Sequence, residues 1–160
     1  LNFITFGAKA QIVYIDINFI LNTSYVGKDL NSHINKIKSE NLEKYNIIQN
    51  SLINKEKSII AQQNIIDKKE FEKKLSILAI EVEKYRSDKK SSIDQINKIR
   101  IERTKEILKV LNPIITKYVD TNSISLVIPK KNIIIGKKNL DITPQILSLL
   151  DKKISKIKLD

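Results

Sequence analysis

Phe71 to Tyr85 reads FEKKLSILAIEVEKY, with Phe71, Leu75, Leu78, Val82 and Tyr85 at alternating steps of four and three. That is heptad spacing, and it lays one narrow apolar seam along an α-helix. The seam is wide enough for one partner helix and too narrow for a globular core. Toward the N-terminus, Leu30, Ile34, Ile37, Tyr45, Ile48, Leu52 and Ile59 make a second stripe, interrupted at Asn41. Toward the C-terminus, the stripe breaks at Arg86 to Ser92 (RSDKKSS) and resumes at Ile93, Ile96, Ile107, Val110 and Ile114. Between Gly27 and Pro113 there is neither glycine nor proline, so the usual turn chemistry is missing. A single helix over that stretch would run about 130 Å at the α-helical rise. A hairpin is more economical, because each stripe then buries the other. The best turn is Gln62 to Asp67, after which Asp67-Lys68-Lys69-Glu70 fits a capping box. The pattern therefore predicts an outgoing helix over about 26–62 and a return helix over about 68–118. Together they form a coiled-coil arm over 26–112 with its tip near 62–67. The polar stretch 86–92 is the competing turn, but it would leave two helices of very unequal length, so it reads as a weakly packed, mobile section of the return helix.

The two ends read differently. Gln11 to Ile17 (QIVYIDI) is β-branched and nearly continuous in apolar character, as a buried strand is. Phe19-Ile20-Leu21 suits a short helical turn, and Asn22-Thr23-Ser24 offers helix caps. Near the C-terminus, Ser125 to Pro129 and Asn132 to Gly136 read as two strands of a hairpin joined by Pro-Lys-Lys. Thr143 is then the expected N-cap of a terminal helix with Pro144 at its first position, and Ile146, Leu149, Leu150, Ile154 and Ile157 give it an apolar face. Three apolar strands cannot stay exposed, so both chain ends must meet in one small β core: residues 11–25, and 113–160 with the end of the return helix, two strands and the last helix. The fold class is α+β, with a long helical hairpin protruding from that core. Apolar, unprotected strand edges call for self-association, and the residues expected in that oligomer core are Ile12, Val13, Ile15, Leu126, Val127, Ile133, Ile134 and Ile135.

Composition narrows the function classes. The 160 residues hold 29 Lys+Arg against 18 Asp+Glu, a net charge of +11, and 41% are hydrophobic. A disordered tail is thereby excluded. Three glycines and three prolines are too few for a turn-rich sandwich or barrel. Absence of cysteine removes disulfides, thiolate metal sites and cysteine nucleophiles. Residues 1–10 end in Ala8-Lys9-Ala10 after a short apolar run. Small residues at Ala8 and Ala10 fit a signal-peptidase site, so this stretch reads as the tail of a secretory signal peptide cut after Ala10. No other stretch approaches the ~20 apolar residues of a spanning helix, and an exported protein is expected.

No catalytic or metal site is expected, nor any cofactor. His33 is the lone histidine. Gly27-Lys28 and Gly136-Lys137 fail as phosphate loops, because Asn22 and Lys131 stand where the first glycine belongs and Asp29 and Lys138 where Ser or Thr belongs. The chain reads as a non-enzyme.

The ends also carry a resemblance. Ile12-Val13-Tyr14-Ile15-Asp16, followed by Leu21-Asn22-x-Ser24-x-x-Gly27-Lys28, resembles the opening of the Skp (OmpH-like) family of periplasmic chaperones. Ile124-x-Leu126-Val127, Ile133-Ile134-Ile135, Leu140-Asp141-Ile142-Thr143 and Leu147 resemble its ending, and Pro113 sits where the family often has a late proline. The resemblance implies a homotrimer with a shared, β-barrel-like core and three helical arms around a cavity. It also implies a periplasmic, ATP-independent holdase for unfolded outer-membrane proteins. Positive arm walls suit acidic clients and weaken with salt, and they also suit an anionic membrane surface. The candidate client-contacting residues near the tip are Lys55, Lys57, Lys68, Lys69, Lys73 and Lys74. Two other functions fit the composition. One is a basic protein binding nucleic acid without sequence specificity, disfavoured by scarce arginine and the lack of an aromatic platform. The other is a structural coiled-coil spacer of the cell envelope.

Overall fold

A computed structural model describes residues 10–156. The elements, in chain order, are β1 (Gln11–Ile15), α1 (Ile17–Thr23), α2 (Tyr25–Ala61), α3 (Lys68–Thr121), β2 (Ile124–Pro129) and α4 (Thr143–Lys153), with short 3-10 turns at Lys130–Asn132 and Lys138–Leu140. Two compact units emerge: one runs to Ser32 and resumes at Glu102, and the other is His33–Ile101.

In the unit made from both chain ends, β1 and β2 pair in parallel, Ile12 opposite Leu126 through Ile15 opposite Pro129. On the other edge of β1, Tyr14 bridges Asp141 and its carbonyl accepts the Ile142 N–H at 3.0 Å. In β1, Gln11 and Ile12 are exposed, and Val13, Tyr14 and Ile15 form a buried run. These pack in a core with Ile20, Val26 and Leu30 from the N-terminal side and Ile107, Leu111, Ile146 and Leu150 from the C-terminal side.

Polar groups pin the corners of this core. The Asp16 carboxylate caps α1 by accepting the Phe19 N–H at 2.9 Å, and the Asp16 N–H donates to Thr143 Oγ1 at 2.9 Å. The Lys130 ammonium stands 3.9 Å from Asp16 and 3.7 Å from Asp141. Ser24, fully buried, accepts the Gly27 N–H at 3.1 Å where α1 gives way to α2. Gly27 must be glycine there, because a Cβ would lie 1.9 Å from the Leu21 carbonyl oxygen.

Two sequence expectations are corrected. The strand over Asn132 to Gly136 does not form, and β2 has no hairpin partner: the chain leaves β2 through a 3-10 turn, and Ile134 and Ile135 are 99% and 91% exposed. Pro-Lys-Lys supplies no residue suited to the positive φ of a tight hairpin turn, and β2 spends its pairing on β1. Thr143 is likewise not the N-cap. It is the first residue of α4, after Ile142, and its hydroxyl is used by Asp16, while Asp141 Oδ1 accepts the Thr143 N–H at 2.9 Å. A short acceptor two residues earlier does the capping locally.

In the His33–Ile101 unit, α2 and α3 bury Ile34, Tyr45 and Ile59 against Leu78 and Ile96. Tyr45 and Tyr85 meet edge to face at 6.0 Å, and the Tyr45 hydroxyl donates to the Asp88 carbonyl at 2.8 Å. The helix continues unbroken through Arg86 to Ser92. Between Ala61 and Lys68 the chain turns, and Asp67 Oδ1 accepts the Glu70 N–H at 3.0 Å. Glu70 pairs with Lys74 at 3.3 Å instead of reaching back to Asp67, so only half of the capping box is made.

Candidate functional site

The six lysines singled out near the turn divide into two sets. Lys55 donates to both oxygens of Glu81, at 2.6 and 2.7 Å, across the hairpin. Lys74 donates to Gln62 Oε1 at 2.6 Å, and Lys68 stands 3.8 Å from Glu72. The ion-paired side chains are a third or more exposed, where solvent screening leaves such pairs little energy; their effect is to spend positive charge internally. Lys57, Lys69 and Lys73 have no partner among the described residues.

What the heptad reading missed is the apolar surface elsewhere on the hairpin. Ile47, Ile65 and Ile80 are 64%, 79% and 70% exposed, and Leu42, Ile60 and Ile93 are more than half exposed too. The signal was present for Leu42, Ile47, Ile60, Ile65 and Ile80, which are apolar yet lie off the two stripes; Ile93 lies on the second stripe and is exposed all the same. A seam one residue wide cannot shelter them, so the hairpin carries water-facing isoleucines as well as lysines. Such a surface can hold an extended, partly apolar, acidic chain at many weak points.

The residues expected in an oligomer core also separate. Val13 and Ile15 are buried within their own chain, Val127 and Ile133 are partly buried, and Ile12, Leu126, Ile134 and Ile135 are exposed. The exposed set leaves an apolar patch around the two-stranded sheet and the 3-10 turn that follows it. In the same unit, Val110, Pro113, Ile114 and Tyr118 of α3 face Pro144 and Leu149 of α4 across a groove of about 1080 Å³, rimmed by Lys109, Lys117 and Lys153. Pro113 lies inside α3 and leaves the Lys109 carbonyl without its helical donor. Ala8 lies outside the described residues, and Ala10 is exposed at their edge. No helix among the described residues is long and apolar enough to cross a membrane.

The model of the family described as outer membrane protein (OmpH-like) matches residues 11–150, from the first residue of β1 into α4. The chain belongs to the OmpH-like family. Its fold is that of a candidate outer membrane chaperone (OmpH-like) from Caulobacter crescentus CB15, solved by crystallography at 2.83 Å. The TM-score is 0.86 at 16% sequence identity, over 96% of this chain and 90% of that one. A search of curated proteins finds no match. The OmpH-like match takes in both units: the sheet, with its Asp16, Thr143 and Lys130 ties, and the paired helices with their isoleucine-and-lysine surface.

Proposed function

We propose that this OmpH-like protein is a periplasmic holdase chaperone that binds unfolded outer-membrane proteins without ATP. In this reading three chains join through their sheet edges into a barrel-like core, and clients sit in a cavity between the basic hairpins. Family membership and the fold shared with a candidate outer membrane chaperone support a chaperone role. The observation that carries the finer reading is the exposure of Ile47, Ile65 and Ile80 on the same hairpin that carries the unpaired Lys57, Lys69 and Lys73. Exposed apolar area attracts unfolded chain, and positive charge selects acidic segments and speeds their arrival. Neither needs a catalytic group. The exposed Ile12, Leu126, Ile134 and Ile135 support self-association, since an apolar patch at an open sheet edge recruits a partner. Export through a cleaved leader ending at Ala10 completes the proposal.

The test is dilution of a urea-unfolded outer-membrane barrel protein into low-salt buffer, with light scattering as the readout and native mass spectrometry of the products. Suppressed scattering and a complex of three chains with one client are expected, with weaker suppression at high salt. A monomer that leaves scattering unchanged would overturn the holdase reading and leave the hairpin as an envelope spacer. Sequence-specific DNA binding would overturn it in favour of a nucleic-acid role.

A further inference from the structure

Near Asn41 the seam of the hairpin opens. Asn41 stands where the α2 stripe lacks an apolar residue and Ser92 faces it from α3, so neither fills the space between the helices. The result is a pocket of about 270 Å³. Tyr45 and Ile96, both buried, form its floor, and Leu42 and Ile93, 63% and 53% exposed, form its lips. Lys38 and Lys89 are the only charged residues lining it. The Lys89 ammonium is held in place: it donates to the Tyr85 hydroxyl at 3.1 Å and lies 5.4 Å from the Tyr85 ring centre. Lys38 has no ion-pair partner among the described residues. A second cleft of about 350 Å³ shares Asn41, Tyr45, Ser92 and Ile96, but it includes Asp88 in its lining. Of these two hairpin clefts, the first combines apolar walls with positive charge that no carboxylate in its lining cancels.

A cavity of about 150 Å³ holds a benzene molecule, so this pocket has room for one aromatic side chain and some of its backbone. We propose that it binds an aromatic residue of an unfolded client where a carboxylate lies one or two residues away, the ring between Leu42 and Ile93 and the carboxylate at Lys38 and Lys89. The proposal rests on the chaperone reading and names the place on the hairpin where a client is gripped. The surface beyond the pocket suits an extended chain. Leu42, Ile53 and Ile60 recur at eleven and seven residues, which places them on one flank of α2. They span about 27 Å along the helix, or roughly eight residues of extended client.

The experiment is a methyl NMR titration of the full chain, labelled at Leu and Ile, with the peptide acetyl-Gly-Asp-Phe-Asp-Gly-amide. Saturable shifts are expected at Leu42, Ile93 and Ile96, with Ile47 and Ile80 unmoved. Changing the peptide's Phe to Ala should weaken binding about tenfold or more, the value of burying one large apolar side chain. Lys38→Gln should weaken it about threefold and flatten its salt dependence. The double variant Asn41→Leu with Ser92→Leu fills the pocket and extends the stripe, so it should melt no lower than the wild type yet lose the peptide. Uniform shifts across the hairpin, or undiminished peptide binding by the filled variant, would overturn the proposal. Client aggregation is followed with the same proteins. A wild type that binds the peptide but protects no client refutes the chaperone reading and leaves the pocket standing. A filled variant that keeps undiminished peptide binding while still protecting the client refutes the pocket and leaves the chaperone reading standing.

Discussion

Replacing Gly27 with alanine sets two effects against each other. Gly27 lies in the first turn of α2, and alanine is the better helix former by up to about 1 kcal/mol. Against that, the new Cβ would sit 1.9 Å from the oxygen and 2.7 Å from the carbon of the Leu21 carbonyl. An ordinary C···O approach is about 3.3 Å, so α1 and α2 must separate by more than about 1 Å. The obstacle is backbone and cannot rotate away. The surroundings have no slack either, since Ile20, Ser24 and Val26 are completely buried. Overpacking of this kind costs about 3 kcal/mol or more, which outweighs the propensity gain and leaves a net loss of about 2 kcal/mol. For a chain of this length that lowers the melting temperature by about 4–8 °C. Circular dichroism at 222 nm, at one fixed protein concentration because assembly shifts melting, measures it. A melting temperature at or above the wild-type value would show that propensity wins and that the close approach at Leu21 is not a packing constraint.

Three further outcomes follow from single features. Ser123 holds φ = 52° after α3, a conformation glycine adopts more cheaply, so Ser123→Gly should stabilise by about 0.5–1 kcal/mol in urea unfolding; a lower midpoint would contradict this. Tyr45→Phe deletes the 2.8 Å bond to the Asp88 carbonyl and should cost about 1 kcal/mol, with faster amide exchange in residues 85–92; unchanged stability would mean that water replaces the hydroxyl. Ile134→Lys with Ile135→Lys alters only exposed side chains, so helicity should stay constant while native mass spectrometry shifts toward monomer. An intact assembly would place the contact elsewhere on the chain.

The heptad pattern was legible because helix pairing is local. Ile34, Tyr45 and Ile59 of the first stripe, and Leu78 and Ile96 of the second, are all buried. Leu111, fully buried, was missed, since it belongs to the core made by the chain ends and not to the hairpin seam. The 132–136 strand failed for a related reason. Three consecutive isoleucines carry strong β propensity, but propensity describes a surface and not a partner, and β2 had already found β1 across more than a hundred residues. Of the six tip lysines, the sequence could not tell Lys55, tied to Glu81, from Lys57; that distinction needs the register between two helices. Nor could it find the pocket, although Asn41 in one stripe and the polar run opposite marked the place.

By itself the sequence determined that this chain pairs long helices, that an apolar strand stands near each end, and that its net charge is strongly positive. These properties follow from spacing and composition, which each residue carries with it. The tertiary structure decided the parallel pairing of β1 with β2, the use of Thr143 by Asp16, the close approach that demands Gly27, and which isoleucines face water. Each of these depends on what lies opposite a residue in space. Hydrophobic periodicity states that a face must be covered, and only the folded chain determines what covers it and what it leaves open.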